Sequence, residues 1–579
     1  VNVARQALIG MLVFAAMCAT VPRHDKPIPL LEELTLDEKI GQLFAVRGFG
    51  VYMAESSPRY QELHDEVTKS LVGGVVWFAS NVYETAELTR RLQREARVPL
   101  LISADLEAGL GMRFLDTTFW PPAMAVAATG DPSLAEAEGR VVAREARVVG
   151  VNHILAPVAD VNVDPDNPVI NARSFGEDPA DVARFVSAFV RGVQSEHVLA
   201  TAKHFPGHGD THVDSHRALP VIDVTRERLE RVELVPFRAA IDAGVKSVMI
   251  GHLAVPSLDR TPVPVRGAGH GDNPWGTTAD EVPKEGTLPA TISSAIVTGV
   301  LRKELGYDGL VVSDAFDMGG ITEHFDAGEA AVRAIEAGED QILLSANTAA
   351  AIAGVKEAVR SGRLSEARID QSVRRILDAK AFVGSTIADA DEIFRVVDAK
   401  EHRDVAAEIA RRAVTLVREE AGALPLRRDA RVALVMVTDG MDVVNPLADF
   451  EKELKPVQSI TLDPRTPAEF MPKLDADVVI AAFAIRARSG AGTIALPPAA
   501  RKFFEANTIR TIGITFGTPY LLREVPRIGT YLVAYGPQPV LQRAVLDALR
   551  GDAPITGKLP VTIPGLYPRG HGIVTGQSH

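Results

Sequence analysis

With 579 residues the chain exceeds what one ordinary hydrophobic core organises, so two or three domains are expected. It is 46% hydrophobic and 24% charged, an ordinary globular composition. A formal net charge of -13 without a long basic run argues against nucleic-acid binding through a phosphate-neutralising patch, and a neutral or weakly charged substrate fits better than a polyanion.

Residues 1–25 read as an export signal or lipoprotein-type segment. Arg5 supplies a positive end, and Ala7 to Ala19 is apolar apart from Gly10. That run is too short to span a bilayer well and suits the apolar centre of a signal. A buried amino-terminal helix is the alternative. The only cysteine, Cys18, lies in this run; it could carry a lipid, although Met17 before it is bulkier than the usual small residue. The mature chain would then have no disulfide and no thiol chemistry. An exported protein is expected, periplasmic, secreted or lipid-anchored, and any membrane anchor would act only through the amino terminus.

After Pro29 the pattern becomes regular. Leu36 to Phe44 starts as a helix with Thr35 as N-cap. Short apolar runs then alternate with amphipathic stretches such as Ala86 to Ala96 and Pro132 to Val149. The runs are Leu43 to Val46, Gly74 to Phe78, Pro99 to Ser103, His153 to Val158, Leu199 to Lys203, Ser247 to Ile250, Gly309 to Val312 and Asp340 to Leu344. Eight strands alternating with helices predict a (β/α)8 barrel over residues 26–385, with a doubly wound open sheet as the alternative. Polar residues sit at the carboxyl ends of these runs: Asp105, Asp160, Lys203-His204, His252 and Asp314. Barrel enzymes place their chemistry there. The Gly/Pro/polar loop Arg260 to Thr287 is long enough to be functional or mobile.

A linker is expected over 386–398 and a smaller α/β sandwich over 399–579. Asp404 to Arg418 reads as helical, as does Pro539 to Leu549. Arg431 to Val437, Asp477 to Phe483, Thr508 to Phe516 and Thr530 to Tyr535 read as strands. Only the loop Arg486 to Gly492 and the turn Phe516 to Tyr520 look like parts of a site. A packing or lid domain without chemistry is the favoured reading.

Lys203 to His216 (KHFPGHGDTHVDSH) packs four histidines, two acids and a lysine into fourteen residues. On a helix His204, His208, His212 and His216 would line up as metal ligands. Pro206, Gly207 and Gly209 break the helix, so the segment is a loop and the spacing loses that meaning. Its end, Asp214-Ser215-His216, pairs a carboxylate with a histidine, which can fix the tautomer and raise the pKa. His216 is therefore a candidate proton donor. A polar loop with incidental histidines is the bland alternative. Asp314 ends an apolar run, with Asp317 as its rival; a helix N-cap explains either residue as well. Glycoside hydrolysis needs an acid for the leaving oxygen and a nucleophile or an activated water.

The chain resembles glycoside hydrolase family 3, and within it the β-N-acetylglucosaminidase branch. The resemblance rests on Lys203 to Gly209 with Asp214-Ser215-His216, on Asp160-Val161-Asn162, on Arg173 to Pro179, on Pro289 to Ser293 and on Phe516 to Tyr520. It implies Asp314 as nucleophile, His216 as acid/base and Asp214 as its orienting partner. Asp105, Arg113, Arg173, Lys203 and His204 would hold the sugar, with His252 as a further member. It implies no cofactor and no metal, a small carbohydrate as partner, and removal of terminal N-acetylglucosamine from peptidoglycan fragments or chitin oligosaccharides. A β-glucosidase or β-xylosidase and a phosphorylase are the alternatives. In one place the chain departs from the family: Asp-x-Glu-Gly-Gly-Arg-Val becomes Asp105 to Gly111 without the arginine, and Arg113 follows further on.

Overall fold

The computed structural model describes residues 26–263, 286–487, 494–507 and 509–576. The export segment with Cys18, most of the loop Arg260 to Thr287 and most of the loop Arg486 to Gly492 lie outside the described residues.

The eight predicted runs form a closed parallel barrel: β1 (Phe44–Phe49), β2 (Gly74–Phe78), β3 (Leu101–Ala104), β4 (His153–Ile154), β5 (Leu199–Phe205), β6 (Ser247–Ile250), β7 (Leu310–Ala315) and β8 (Gln341–Leu343). Closure comes from β8 pairing with β1, Phe44 opposite Ile342 and Ala45 opposite Leu343. Hydroxyl-bearing strand residues surround one imidazole inside the barrel. His153 Nδ1 lies 3.0 Å from Ser103 Oγ, and its Nε2 lies 2.8 Å from Thr201 Oγ1 and 3.2 Å from Ser247 Oγ. Burial pushes the His153 imidazole down to about 3, so a neutral ring fills this layer.

Strand ends differ from the sequence reading where tertiary contacts intervene. The run His153 to Val158 is a continuous strand only over His153–Ile154; Pro157 brings no N–H to a ladder, and Val158 meets Lys203 as an isolated bridge. In the other direction β5 and β7 run on, so Lys203, His204 and Asp314 are strand residues. The first helix covers Leu36–Gln42; Thr35 and Glu38 close its capping box, with the Thr35 N–H donating to Glu38 at 2.7 Å.

The second sheet has strands β9 (Thr415–Arg418), β10 (Val432–Thr438), β11 (Gln458–Leu462), β12 (Val478–Ala484), β13 (Thr511–Thr515) and β14 (Thr530–Val533), in the order β11-β10-β12-β13-β14-β9. All pairs are parallel except β14 with β9. The stretch Asp404 to Arg418 is not one helix. The helix is Lys400–Ala413, and the residues after Val414 form β9, where β-branched Thr415 and Val417 suit a strand. Edge strand β11 escapes sequence reading because its Ser459 and Thr461 face solvent. The stretch 386–398 carries a helix, Ala390–Val396, capped by Asp389.

The two parts share a core. The helix Ala123–Ala128 is apolar all round, so every face needs a partner. Met124, Ala125 and Ala128 pack with Val435, Phe483 and Tyr531 of the second sheet. The loop after β4 adds polar contacts to the chain's last segment. Glu177 accepts from the N–H and hydroxyl of Thr562 at 2.7 and 2.6 Å, and Arg569 pairs with Asp178 and Asp181. Gly176 has φ of +144°, and a Cβ there would stand 2.7 Å from the Pro560 carbonyl oxygen. No helix among the described residues is long and apolar enough to cross a membrane.

Glu177→Ala strands both Thr562 donors. We expect a loss of about 1–3 kcal/mol in the urea midpoint analysis, with Glu177→Gln losing less. Equal midpoints for all three proteins would show that this contact does not hold the two parts together.

Candidate active site

The carboxyl ends of the barrel strands converge on a cavity of about 390 Å³. Asp105 follows β3, Arg173 stands in the loop after β4, Lys203 and His204 end β5, and Asp314 stands near the end of β7. All five line the cavity, together with Arg47, Glu107, Arg113, His208, His216 and Asp317.

On one side is a chain of ion pairs. Lys203 Nζ lies 2.9 Å from Asp105 Oδ1 and 2.6 Å from Glu107 Oε1. Arg173 grips Glu107 with two bonds of 2.8 Å, and Arg113 takes the other oxygen of Asp105. Burial pushes the Asp105 and Glu107 carboxyls up. Their cations outweigh it: Lys203 and Arg113 hold Asp105 far below the usual carboxylate range, and Arg173 and Lys203 do the same for Glu107. Phe78, at the end of β2, carries the guanidinium of Arg47 on its ring at 5.0 Å and that of Arg113 at 4.8 Å.

The rings of the four histidines go to separate partners. His204 Nδ1 lies 2.8 Å from fully buried Asp160, whose other oxygen accepts the N–H of His204 at 3.1 Å and of His208 at 2.7 Å. His208 sits between Thr211 Oγ1 at 2.8 Å and Ser215 Oγ at 3.0 Å, and burial pushes its imidazole down to about 4. His212 lies 2.7 Å from Asp164. His216 Nδ1 lies 2.8 Å from Asp214 Oδ1, which also accepts the His216 N–H at 2.9 Å. Gly209 is required in this loop, since a Cβ would overlap the Val161 carbonyl oxygen at 1.7 Å. The loop is tied across to the segment after β7: Gly319 N–H donates to His216 O at 3.0 Å and Gly320 N–H to Ser215 O at 3.2 Å.

Asp314 accepts the N–H of Ala315 at 2.8 Å. Burial pushes its carboxyl up, but the imidazoles around it (His204 foremost, then His252 and His216) and that N–H bring it below the usual value. Asp317, the rival, is engaged elsewhere, with Oδ2 2.8 Å from Arg47 Nη2. His252 does not line the cavity. It is fully buried, with Nδ1 3.0 Å from Thr291 Oγ1 and Nε2 2.9 Å from the Ala315 carbonyl, so it braces the strand end that presents Asp314.

Three features escaped sequence reading. Glu107 is the hub between Arg173 and Lys203; its place two residues after Asp105 was the only signal. Arg47, on the first strand, carried none. From the second domain Ala487 reaches the cavity; it belongs to the loop Arg486 to Gly492 that the sequence marked as part of a site, although its small apolar side chain did not single it out. The missing arginine in the Asp105 to Gly111 stretch is made good by Arg113, which folds back onto Asp105.

Residues 35–379 match the family model for the glycosyl hydrolase family 3 N terminal domain. A Cellulomonas fimi protein named beta-N-acetylglucosaminidase/beta-glucosidase is 32% identical over 556 residues, 92% of this chain and 94% of that one. The solved glycoside hydrolase family 3 beta-N-acetylglucosaminidase from Paenibacillus sp. str. FPU-7 is similar with a TM-score of 0.76 and 31% identity, covering 92% of this chain and 99% of that one. A beta-glucoside phosphorylase, BglX, bound to 2FGlc, has a TM-score of 0.80 at 28% identity, covering 92% and 95%.

Asp105 and Glu107 are ionised in the fold at pH values where the unfolded chain still binds protons. Their stabilisation is therefore complete above about pH 4.5 and is lost as pH falls below it. Lys203→Met removes the cation they share. Arg113 and Arg173 remain, so the depression of both carboxyls should shrink, and stability should rise less steeply with pH across that window. The expected cost at neutral pH is about 3–5 kcal/mol. Unfolding temperature measured from about pH 3 to 7 tests this; parallel profiles for both proteins would refute it.

Proposed function

The chain belongs to glycosyl hydrolase family 3, and on that footing we propose that it is a retaining exo-β-N-acetylglucosaminidase. Its substrates are peptidoglycan fragments or chitin oligosaccharides with a terminal β-linked N-acetylglucosamine. The observation that carries this reading is the Asp214–His216 pair, whose imidazole lines the same cavity as Asp314. The second domain offers no acid there among its described residues. Among the described residues it brings only Ala487 to the cavity, and the loop 486–492 has no Asp or Glu in its sequence.

Asp314, kept ionised, attacks the anomeric carbon. His216, as imidazolium, protonates the leaving oxygen, and a covalent glycosyl-enzyme forms. Neutral His216 then takes a proton from the incoming water, which releases the sugar with retained configuration. Asp214 holds the ring by Nδ1 and stabilises the imidazolium, so Nε2 is the nitrogen that exchanges the proton. Asp105, Arg113, Arg173, Lys203 and His204 hold the sugar's hydroxyls. The names of the Cellulomonas and Paenibacillus relatives support N-acetylglucosamine as the sugar. Export rests on Arg5 and the apolar run Ala7 to Ala19.

Phosphorolysis is the second reading, favoured by the similarity to BglX and by one physical point. A neutral imidazole does not repel phosphate as a carboxylate would.

Aryl β-glycosides (glucosaminide, glucoside, xyloside), each with and without phosphate, decide among these. The glucosaminide should be preferred and phosphate should not accelerate turnover. A preference for the glucoside, or a glycosyl phosphate product, would overturn the reading.

His216→Ala should lower the glycosylation rate by about 10²–10⁴ with sugar leaving groups and little with acidic phenols, which leave without a proton. Equal losses with both would remove His216 as the acid. Trapping with a fluorinated glycoside should label Asp314, and a label on Asp317 would reverse that assignment.

A further inference from the structure

A second and larger concavity adjoins the catalytic cavity. It is a groove of about 840 Å³ over the carboxyl ends of β1 and β8, walled by the helix Pro58–Thr68. Arg47, Asp317 and Leu344 line both spaces, so the Arg47–Asp317 pair stands at their boundary. Asp317 is 7% exposed, and its Oδ1 is buried with no hydrogen-bond partner among the described residues. A buried carboxylate oxygen without a donor costs free energy, and a ligand N–H or O–H would recover it. The chemistry of bond cleavage does not use this atom.

Strand order gives the direction in which a substrate runs. The groups proposed to hold the terminal sugar come from β3, β5 and the loop after β4, whereas Asp314 stands on β7. A sugar held over β3 to β5 with its anomeric carbon at Asp314 directs its leaving group away from those strands. In the closed order the strands beyond β7 are β8 and then β1, where the groove opens. The loop that carries His216 is bonded to Gly319 and Gly320, two and three residues after Asp317.

The groove's chemistry suits a neutral polar chain. Lys69 pairs with Asp65 at 2.7 Å and Arg47 with Asp317 at 2.8 Å, so much of the charge is cancelled in place. Burial and the neighbouring Glu62 push the Glu66 carboxyl up to about 7, which makes it a donor as well as an acceptor. Phe49 ends β1 at 37% exposure, with the Arg59 guanidinium 5.7 Å from its ring centre. The volume falls in the range of ligand sites and is more than twice that of the cavity assigned to one sugar.

We propose that this groove is the leaving-group site, taking a neutral β-linked oligosaccharide of more than one ring, with Asp317 Oδ1 accepting a hydrogen bond from the ring next to the scissile bond. The proposal rests on the exo-glycosidase reading and adds which product is held and where.

The test uses the full chain with Phe49→Ala and Arg59→Ala, neither of which lines the catalytic cavity. Each is assayed on nitrophenyl N-acetyl-β-glucosaminide and on the β-linked trisaccharide of N-acetylglucosamine. The aryl substrate, whose single ring reaches only the first position of the groove, should keep kcat/KM within about twofold. The trisaccharide should lose about tenfold or more, expressed in KM. Equal losses on both substrates, or none on the trisaccharide, would overturn the groove assignment. If the wild type instead prefers another aryl glycoside, the donor reading fails by itself, and the groove is judged on that sugar's own trisaccharide by the same comparison.

Discussion

The site depends on one buried cation shared by two carboxylates. Lys203, on β5 and two strands from β3, reaches Asp105 and Glu107, and Arg173 closes the chain on Glu107. Each of these charges would be costly to bury alone. Together they bind the ends of β3 and β5 and the loop after β4 into one arrangement. Displacing any of the three segments leaves a charge behind without its partner, so the geometry of the mouth is set by electrostatics as much as by the barrel.

The loop after β4 serves two surfaces at once. Arg173 points to the cavity, while Gly176 and Glu177 a few residues on are held by Pro560 and Thr562 from the end of the chain. Asp178 caps the next helix through the Ala180 and Asp181 N–H groups. The second domain therefore acts on the site largely through position. It clamps the loop that carries Arg173, and its own sheet packs against the helix Ala123–Ala128.

Protonation is divided by burial and by partner. His153 and His208 are sunk in hydroxyl-lined places and lose their charge, and burial brings His252 down as well. Asp105, Glu107 and Asp314 keep theirs. His204 and His216 each have a carboxylate on one ring nitrogen and a place on the cavity wall, whereas the ring nitrogens of His208 meet hydroxyls and His212 does not line the cavity. Histidines with similar sequence surroundings thus receive different chemistry.

Periodicity and punctuation determined the barrel, because eight apolar runs separated by amphipathic stretches have few other ways to bury themselves. They also put Asp105, Lys203, His204 and Asp314 at strand ends, since a strand's carboxyl end is local information. The Asp214–His216 pair was legible because its members lie two residues apart, and Pro206, Gly207 and Gly209 ruled out a helical metal array. What the sequence could not decide was long-range pairing. Arg47 meets Asp317, Glu107 meets Arg173 and Lys203, Arg113 replaces a missing arginine, and His252 turns inward to the Ala315 carbonyl. The solvent-facing edge strand β11 and the antiparallel β9 were hidden for a related reason. Both are short, and their pairing with β10 and β14 shows them as strands. Strand-end position is local to the chain, but a charge finds its partner only after the barrel has closed and brought distant segments within hydrogen-bond reach.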